Sequence, residues 1–324
     1  MPIRSRAARG CSQAAFTSLE SARRRLGRAM RGLPLLVNAL AFGLSWLVGF
    51  GVGCAPEPES TPVVSPPVAS SVPQRVVSLA PSLTEILLAL GVGDRLVGVT
   101  TFCEGVPPAI ARVGGLQVDA ERIVALRPDY LVAIETAAQA ETLLALRRLG
   151  IPVEVLPAET IADVRACVAQ LAQRFDREPA AEPHLAALDE VLAAAAAFAA
   201  VDGAAVGPSA AFVVDWRPLF VAGRGSFVDE MLGAAGVHNA FADRSASYAA
   251  VDLEEVLAKD PDFVFDVTLP TDGPVAGTDS WERWQRLDSL RAVRGGRVLP
   301  FPPVKPGLRI SAWVALLRET VQKR

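Results

Sequence analysis

The feature that most restricts the fold is an internal repeat. Glu121-Arg-Ile-Val-Ala-Leu-Arg-Pro-Asp129-Tyr-Leu-Val132 matches Glu254-Glu-Val-Leu-Ala-Lys-Asp-Pro-Asp262-Phe-Val-Phe265 in register, with Glu, Ala, Pro and Asp identical at corresponding places. A second echo, Glu85-Ile-Leu-Leu-Ala-Leu-Gly-Val92 against Glu230-Met-Leu-Gly-Ala-Ala-Gly-Val237, lies upstream of each copy at a similar but unequal offset. Each copy reads as an acid-headed helix, a Pro-Asp turn and an apolar β-rich strand, preceded by a helix that ends at Gly. A chain that repeats such βα units builds two similar α/β lobes, each a mostly parallel sheet flanked by helices. At 324 residues, half of them apolar, it can bury both cores.

The remaining elements fit this frame. In the first half, strands are expected at Val76–Leu79, Leu96–Thr100, Tyr130–Ile134 and Val153–Leu156, and Ser82-Leu-Thr-Glu85 has the spacing of a capping box. In the second half the corresponding strands are Ala211–Val214, Phe263–Val267 and Val298–Phe301. Between the halves, Thr160 to Ala200 has helical periodicity and a run of Ala, with interruptions expected near Pro179 and Pro183. Its second piece, Glu182 to Ala200, spans roughly 28 Å as a helix, a stiff connector in place of a flexible hinge. The sequence therefore divides into an N-terminal lobe (75–178), a connecting helix (179–203) and a C-terminal lobe (204–324).

The first 74 residues have a different character. Leu33 to Phe50 is an apolar run behind the basic segment Arg23 to Arg31, the layout of an export signal. It is of ordinary length if translation begins at Met30. Gly51-Val-Gly-Cys54 resembles the lipobox of bacterial lipoproteins, which makes Cys54 the expected lipidated N-terminus and residues 1–54 a leader. Ala55 to Gln74, rich in Pro, Ser, Thr and Val, reads as an extended tether. An uncleaved helical anchor is the alternative, since about 18 residues just span a bilayer. With the leader gone, Cys103 and Cys167 remain; they are expected as solitary buried thiols, although a disulfide stays open.

Charge narrows the function. Residues 1–54 hold eight Arg and one acid, so the remainder keeps 24 of the 32 basic and 34 of the 35 acidic residues, a net −10. Such an acidic body has no electrostatic footprint for nucleic acid. A hydrolase is a weaker reading: there is no Gly-x-Ser-x-Gly elbow and no His-Glu-x-x-His pair. The two histidines, His184 and His238, are expected to be solvated, and no catalytic or metal-ligating set is assigned. Gly91-Val-Gly-Asp-Arg-Leu-Val-Gly98 ends a helix instead of opening one, against nucleotide binding. Trp281 and Trp284 are expected to pack on a surface helix.

The segments Arg75-Val-Val-Ser-Leu-Ala-Pro-Ser-Leu-Thr-Glu85, Leu96-Val-Gly-Val-Thr100, Glu121 to Asp129 and Gly223-Arg-Gly-Ser-Phe-Val-Asp-Glu230 resemble the cobalamin-binding periplasmic proteins. These belong to the wider group that serves ABC importers of cobalamin, haem and iron siderophores. The resemblance runs from Arg75 to the C-terminus. It implies two lobes joined by one long rigid helix, with a ligand cleft between them. It also implies a monomeric receptor, exported and lipid-anchored to face the periplasm or the cell exterior, that delivers a corrinoid to a permease dimer. In the family one Glu on the tip of each lobe docks onto transporter Arg residues, and the matching positions are Glu121 and Glu254. Aromatic side chains surround the corrin; Phe102 and Tyr248 match two of them, and Trp216 and Phe220 are further candidates. Leu116 stands where an aromatic is common, and Ser82 lies within the first matching segment. Haem, through Tyr248 or His238, or a siderophore, through Arg224, Lys305 or Arg309, is the alternative ligand.

Overall fold

The first strand, β1 (Val76–Ser78), is buried on both faces, as an unbroken apolar run in a helix-covered parallel sheet should be. It leads into α1 (Pro81–Ala89), β2 (Leu96–Val99), β3 (Ala111–Arg112), α2 (Ala120–Ala125), β4 (Tyr130–Ile134), α3 (Ala140–Arg148), β5 (Val153–Leu156) and α4 (Ile161–Phe175). The long helix α5 (Glu178–Ala200) follows. The second half runs β6 (Ser209–Trp216), β7 (Leu219–Ala222), α6 (Phe227–Ala234), β8 (His238–Asn239), β9 (Tyr248–Ala250), α7 (Leu253–Lys259), β10 (Phe263–Asp266), α8 (Asp279–Gln285), α9 (Arg291–Arg294), β11 (Val298–Pro300) and α10 (Ile310–Gln322). This computed structural model describes residues 71–323 apart from 135, 137–138, 202–206 and 273–275. The export leader, the Met30 start, Cys54 and the tether up to residue 70 lie outside the described residues.

The first sheet has the order β3-β2-β1-β4-β5 and every pairing in it is parallel. The second has the order β11-β10-β6-β7-β9, with β8 also on β6. Its β11-β10-β6 and β6-β8 pairings are parallel, but β6-β7 and β7-β9 are antiparallel. The repeat therefore holds for the central strands, while the far edge of the second lobe folds back on itself as a meander.

The repeated Pro-Asp does the same work in both halves. Asp129 accepts the backbone N–H groups of Gln74 and Arg75, both at 2.9 Å, just where β1 begins. Asp262 accepts the backbone N–H and the hydroxyl of Ser209, both at 2.9 Å, at the first residue of β6. Each aspartate satisfies donors that the first strand of its sheet leaves unpaired. The residue before each proline, Arg127 and Asp260, has a positive φ of 47° and 41°. A proline disfavours the right-handed helical region in its predecessor, so helices α2 and α7 both stop there. The repeat is thus visible in the backbone as well as the sequence.

One apolar cluster runs from β1, α1 and α4 through Ala181, Leu188 and Val191 of α5 to α6, α10, Phe212 and Phe265 in the second half. The two lobes share this core through the connecting helix. The outer face of each sheet has its own cluster, around Leu131 and Leu146 in the first lobe and around Val264 and Trp284 in the second. The described residues, 71–323, all fall within one compact unit.

Several expectations need correction. Helix α5 is not interrupted at Pro179 or Pro183; at 23 residues it is about 34 Å long. Pro179 sits in the first turn, where its missing N–H costs nothing, and Pro183 removes one bond from a helix held by tertiary packing. By length and composition α5 would also cross a bilayer; its apolar character is mostly alanine, and one face of it, through Ala181, Leu188 and Val191, packs on the shared core. Ser82-Leu-Thr-Glu85 forms no capping box: Ala80 is the N-cap and Pro81 opens the helix. As expected, Trp281 and Trp284 pack from a surface helix, α8, onto the second sheet; Trp284 is fully buried and Trp281 half-buried, and both Trp216 and Trp284 donate their indole N–H to Asp266, at 2.9 and 2.8 Å. His238 is no solvated turn residue: it lies in β8 with its ring 4.7 Å from that of Phe198. His184 is half-buried beside Glu85. Cys103 and Cys167, by contrast, are buried free thiols as expected.

Candidate functional site

In the first lobe the candidate face is built where β2 and β3 end. The chain leaves β2 into a turn closed by Cys103 N–H donating to Thr100 O at 3.2 Å, and Phe102 sits at its crest with 53% of its surface exposed. The neighbouring chain makes a tight hairpin, Gly114 to Val118, with Gly115 N–H donating to Gln117 O at 3.1 Å. Gly114 has φ +111°, and a Cβ there would lie on the Gln117 carbonyl oxygen and 3.0 Å from Val118 Cα, so the hairpin requires glycine. Thr101 N–H donates to Gly114 O at 2.8 Å, tying turn to hairpin. The Phe102 ring then rests on Gly115, where an added Cβ would be 3.3 Å from it. Leu116, at the hairpin tip, is 74% exposed. Phe102 and Leu116 come together on one apolar knuckle.

In the second lobe the pairing register decides which aromatics can act together. Ala222 is opposite Tyr248 and Phe220 is opposite Ala250, so Phe220 and Tyr248 are diagonal neighbours on one face, about 7–8 Å apart. Trp216 is opposite Leu219, which faces the outer core cluster. Its ring packs edge-on against Trp284 at 4.9 Å, beneath the guanidinium of Arg283 at 5.2 Å. Trp216 is therefore on the other face, occupied by packing. Ser82 is buried, with its Cβ 3.6 Å from where a Cβ of Gly307 would stand. Of the six sequence-derived ligand positions the structure groups Phe102 with Leu116, and Phe220 with Tyr248, and turns Trp216 to the other face of its sheet, while Ser82 is buried in the first turn of α1.

Two clasps join the lobes. The N–H of Phe227, at the start of α6, donates to Glu159 O at 2.8 Å, and the N–H of Ile161, at the start of α4, donates to the Glu230 carboxylate at 2.6 Å. Each helix thus has a first-turn donor, unpaired within the helix, satisfied by the opposite lobe. Burial raises the Glu230 carboxyl above its ordinary value despite that bond, and nearby Asp229 and Asp163 add to the rise. Burial also raises the Tyr248 phenol, and the Glu159 carboxylate adds to that. The second clasp sets Glu85 of α1 against Lys305, whose Nζ is 4.0 Å away, with Arg309 and His184 nearby. Burial outweighs these cations, so the Glu85 carboxyl is also raised. One of its oxygens is buried without a hydrogen bond.

The two glutamates of the repeat occupy equivalent places. Asp119 caps α2 by accepting from Arg122 N–H at 3.0 Å, and Asp252 caps α7 by accepting from Glu255 N–H at 2.8 Å. Glu121 and Glu254 each stand two residues later, exposed, in a first turn whose dipole favours negative charge. Among the described residues neither is hydrogen-bonded or ion-paired. Glu255, beside Glu254, is absorbed by the cap and by Arg244. Sequence reading missed both capping aspartates, although they extend the repeat upstream as Asp-x-Glu. The basic residues considered for a siderophore are partly committed: Arg224 donates to Ala242 O at 2.6 Å, and Arg309 lies over the Trp313 ring.

Comparison with known proteins gives a consistent picture. The profile of the periplasmic binding protein family matches residues 76–303. A vitamin B12-binding protein of Pectobacterium atrosepticum is 31% identical over 202 residues, covering 60% of this chain and 71% of its own. An uncharacterized ABC transporter substrate-binding lipoprotein of Bacillus subtilis, YvrC, is 28% identical over 257 residues, 77% of this chain and 80% of its own. The crystal structure of a periplasmic haem-binding protein from Pseudomonas aeruginosa superposes with a TM-score of 0.63 at 29% identity, over 77% of this chain and 92% of that one.

Proposed function

This chain belongs to the periplasmic binding protein family, and from that premise we propose that it captures cobalamin or a related corrinoid outside the cytoplasm and hands it to an ABC importer. The observation that carries this reading is the pair of apolar faces, one per lobe: Phe102 with Leu116, and Phe220 with Tyr248. A corrin is a broad apolar ring edged with polar groups, and aromatic and aliphatic faces on both walls of a cleft suit it.

Haem is the second reading, favoured by the haem-binding structural relative. Two observations weigh against it. A tyrosine binds ferric iron as phenolate, and burial, with the Glu159 carboxylate adding to it, raises the Tyr248 phenol and so disfavours that form. The His238 ring is packed on Phe198. A corrinoid brings its cobalt already ringed by nitrogen, so it asks for shape and stacking more than for a metal ligand.

Docking is the second half of the function. Glu121 and Glu254, exposed and related by the repeat, would offer one carboxylate per lobe to arginines on a two-fold permease dimer. A lipid on Cys54 would anchor the monomeric receptor. The tether 55–74, if extended, gives it a reach of about 60 Å.

The test is calorimetric titration of the full chain in detergent with cyanocobalamin, cobinamide, haemin and a ferric siderophore. Saturable binding of a corrinoid, weakened about tenfold by Phe102→Ala or Tyr248→Ala, is the expected result. Saturation by haemin or the siderophore alone overturns it.

A further inference from the structure

The turn that carries Phe102 is fixed at both ends by one cation. Arg112, the last residue of β3, donates from Nη1 to Thr100 O at 3.1 Å and to Cys103 O at 2.7 Å. These are the first and last residues of the turn, whose crest is Thr101 and Phe102. The guanidinium is half-buried, and among the described residues no carboxylate pairs with it. A desolvated cation is costly unless its charge is well solvated by dipoles, and two carbonyl oxygens of a single turn supply them here. Below the turn the Cys103 thiol meets the hydroxyls of Thr84 and Thr100 at 3.1 and 3.2 Å, and beside it Thr101 N–H is bonded to Gly114 O. Three of the four turn residues are thus pinned through polar atoms. Phe102 is the exception: among the described residues it makes no hydrogen bond, and its ring is held out half-exposed with Gly115 beneath.

We infer that Arg112 is a positioning residue for ligand capture: by bridging Thr100 O and Cys103 O it aims the Phe102 ring, without itself touching the ligand. This rests on the reading that Phe102 meets the ligand. The ring is ordered before binding, so the entropy of fixing it is not charged against affinity. Lysine cannot reproduce the effect in full, because its compact ammonium is more strongly hydrated than a guanidinium and is costlier to hold at this half-buried position.

The experiment uses the full chain in detergent with 4-fluorophenylalanine at position 102, read by fluorine NMR without ligand, alongside titration with cyanocobalamin. Arg112→Gln should move the fluorine signal towards that of the free amino acid and weaken cyanocobalamin binding about tenfold. Arg112→Lys should fall between it and the parent, and thermal melts of both variants report whether they fold. Phe102→Ala placed on top of Arg112→Gln should cost little more, because Arg112 acts through that ring. An unchanged fluorine signal overturns the inference. So do losses that multiply, since Arg112 would then have its own contact with the ligand. If the parent chain takes no corrinoid, the proposed ligand is wrong, while the fluorine signal still decides whether Arg112 holds the turn.

Discussion

Replacing Gly114 by Ala separates backbone strain from steric overlap, because Gly150 supplies an internal control. Both glycines have positive φ, +111° and +81°, but nothing lies within 4 Å of a Cβ at 150, whereas a Cβ at 114 meets the Gln117 carbonyl and Val118 Cα. Gly150→Ala should cost only the left-handed backbone penalty, about 1–2 kcal/mol, less the roughly 0.4–1 kcal/mol returned by a stiffer unfolded chain, for a net of about 1 kcal/mol. Gly114→Ala carries the same penalty in a less favourable region. It must also open the Gly114–Val118 bridge and the Gly115-to-Gln117 hydrogen bond, adding about 1–2 kcal/mol, so roughly 3 kcal/mol in all. At about 2–4 °C per kcal/mol for a body of this size, calorimetric melts should fall by about 2–4 °C for Gly150→Ala and about 6–12 °C for Gly114→Ala. Only the second variant should also weaken ligand binding, because the hairpin seats the Phe102 ring and presents Leu116. Equal melting shifts would refute the close approach within the hairpin. An intact affinity in a destabilised Gly114→Ala would detach the hairpin from the ligand face.

Two further outcomes follow from the electrostatics. Replacing both Glu121 and Glu254 by Ala should leave ligand affinity unchanged and alter stability by no more than about 0.5 kcal/mol for each site, since both are exposed and unpaired, yet abolish uptake through the importer; unchanged transport in whole cells would sink the docking role. Glu85 and Glu230 both have carboxyl groups raised by burial. Each therefore contributes stability that is present below the ordinary carboxylate value of 4.5 and is lost as pH rises through the higher folded value. Glu230→Gln should flatten that decline in melts taken across this acid range, with the parent chain as reference. A decline of the same size in the variant would mean that Glu230 does not titrate in the folded state as its burial requires.

Much of the architecture was legible because hydrophobic period and punctuation are local. The strands at Tyr130–Ile134 and Val153–Leu156 fall where their apolar runs lie, and the repeat from Glu121 to Asp129 foretold the second helix-turn-strand at Glu254 to Asp262. Its exposed glutamates were also visible, since a residue at the head of a short amphipathic helix has one face to show. What the sequence reading left out was mostly position relative to another segment. Ser82 lies in the matching motif and is buried with Gly307, over two hundred residues away, close by. Trp284 packs from a surface helix as expected, but the partner of its indole N–H, Asp266, comes from a separate strand.

The sequence by itself determined the two-lobed α/β plan, the stiff connector and the paired helix-heading glutamates, because repetition, apolar periodicity and helix-heading acids are properties of contiguous residues. Only the tertiary structure decided which aromatics share a face. Trp216 and Phe220 are four residues apart, but the β6–β7 register turns one to the outer core and the other to the side of Tyr248. The same holds for the clasps: the pairing of Glu230 with Ile161, and of Arg112 with Thr100 and Cys103, depends on how strands and helices from separate stretches dock. No local pattern encodes such pairings, since each is fixed by the packing of the whole.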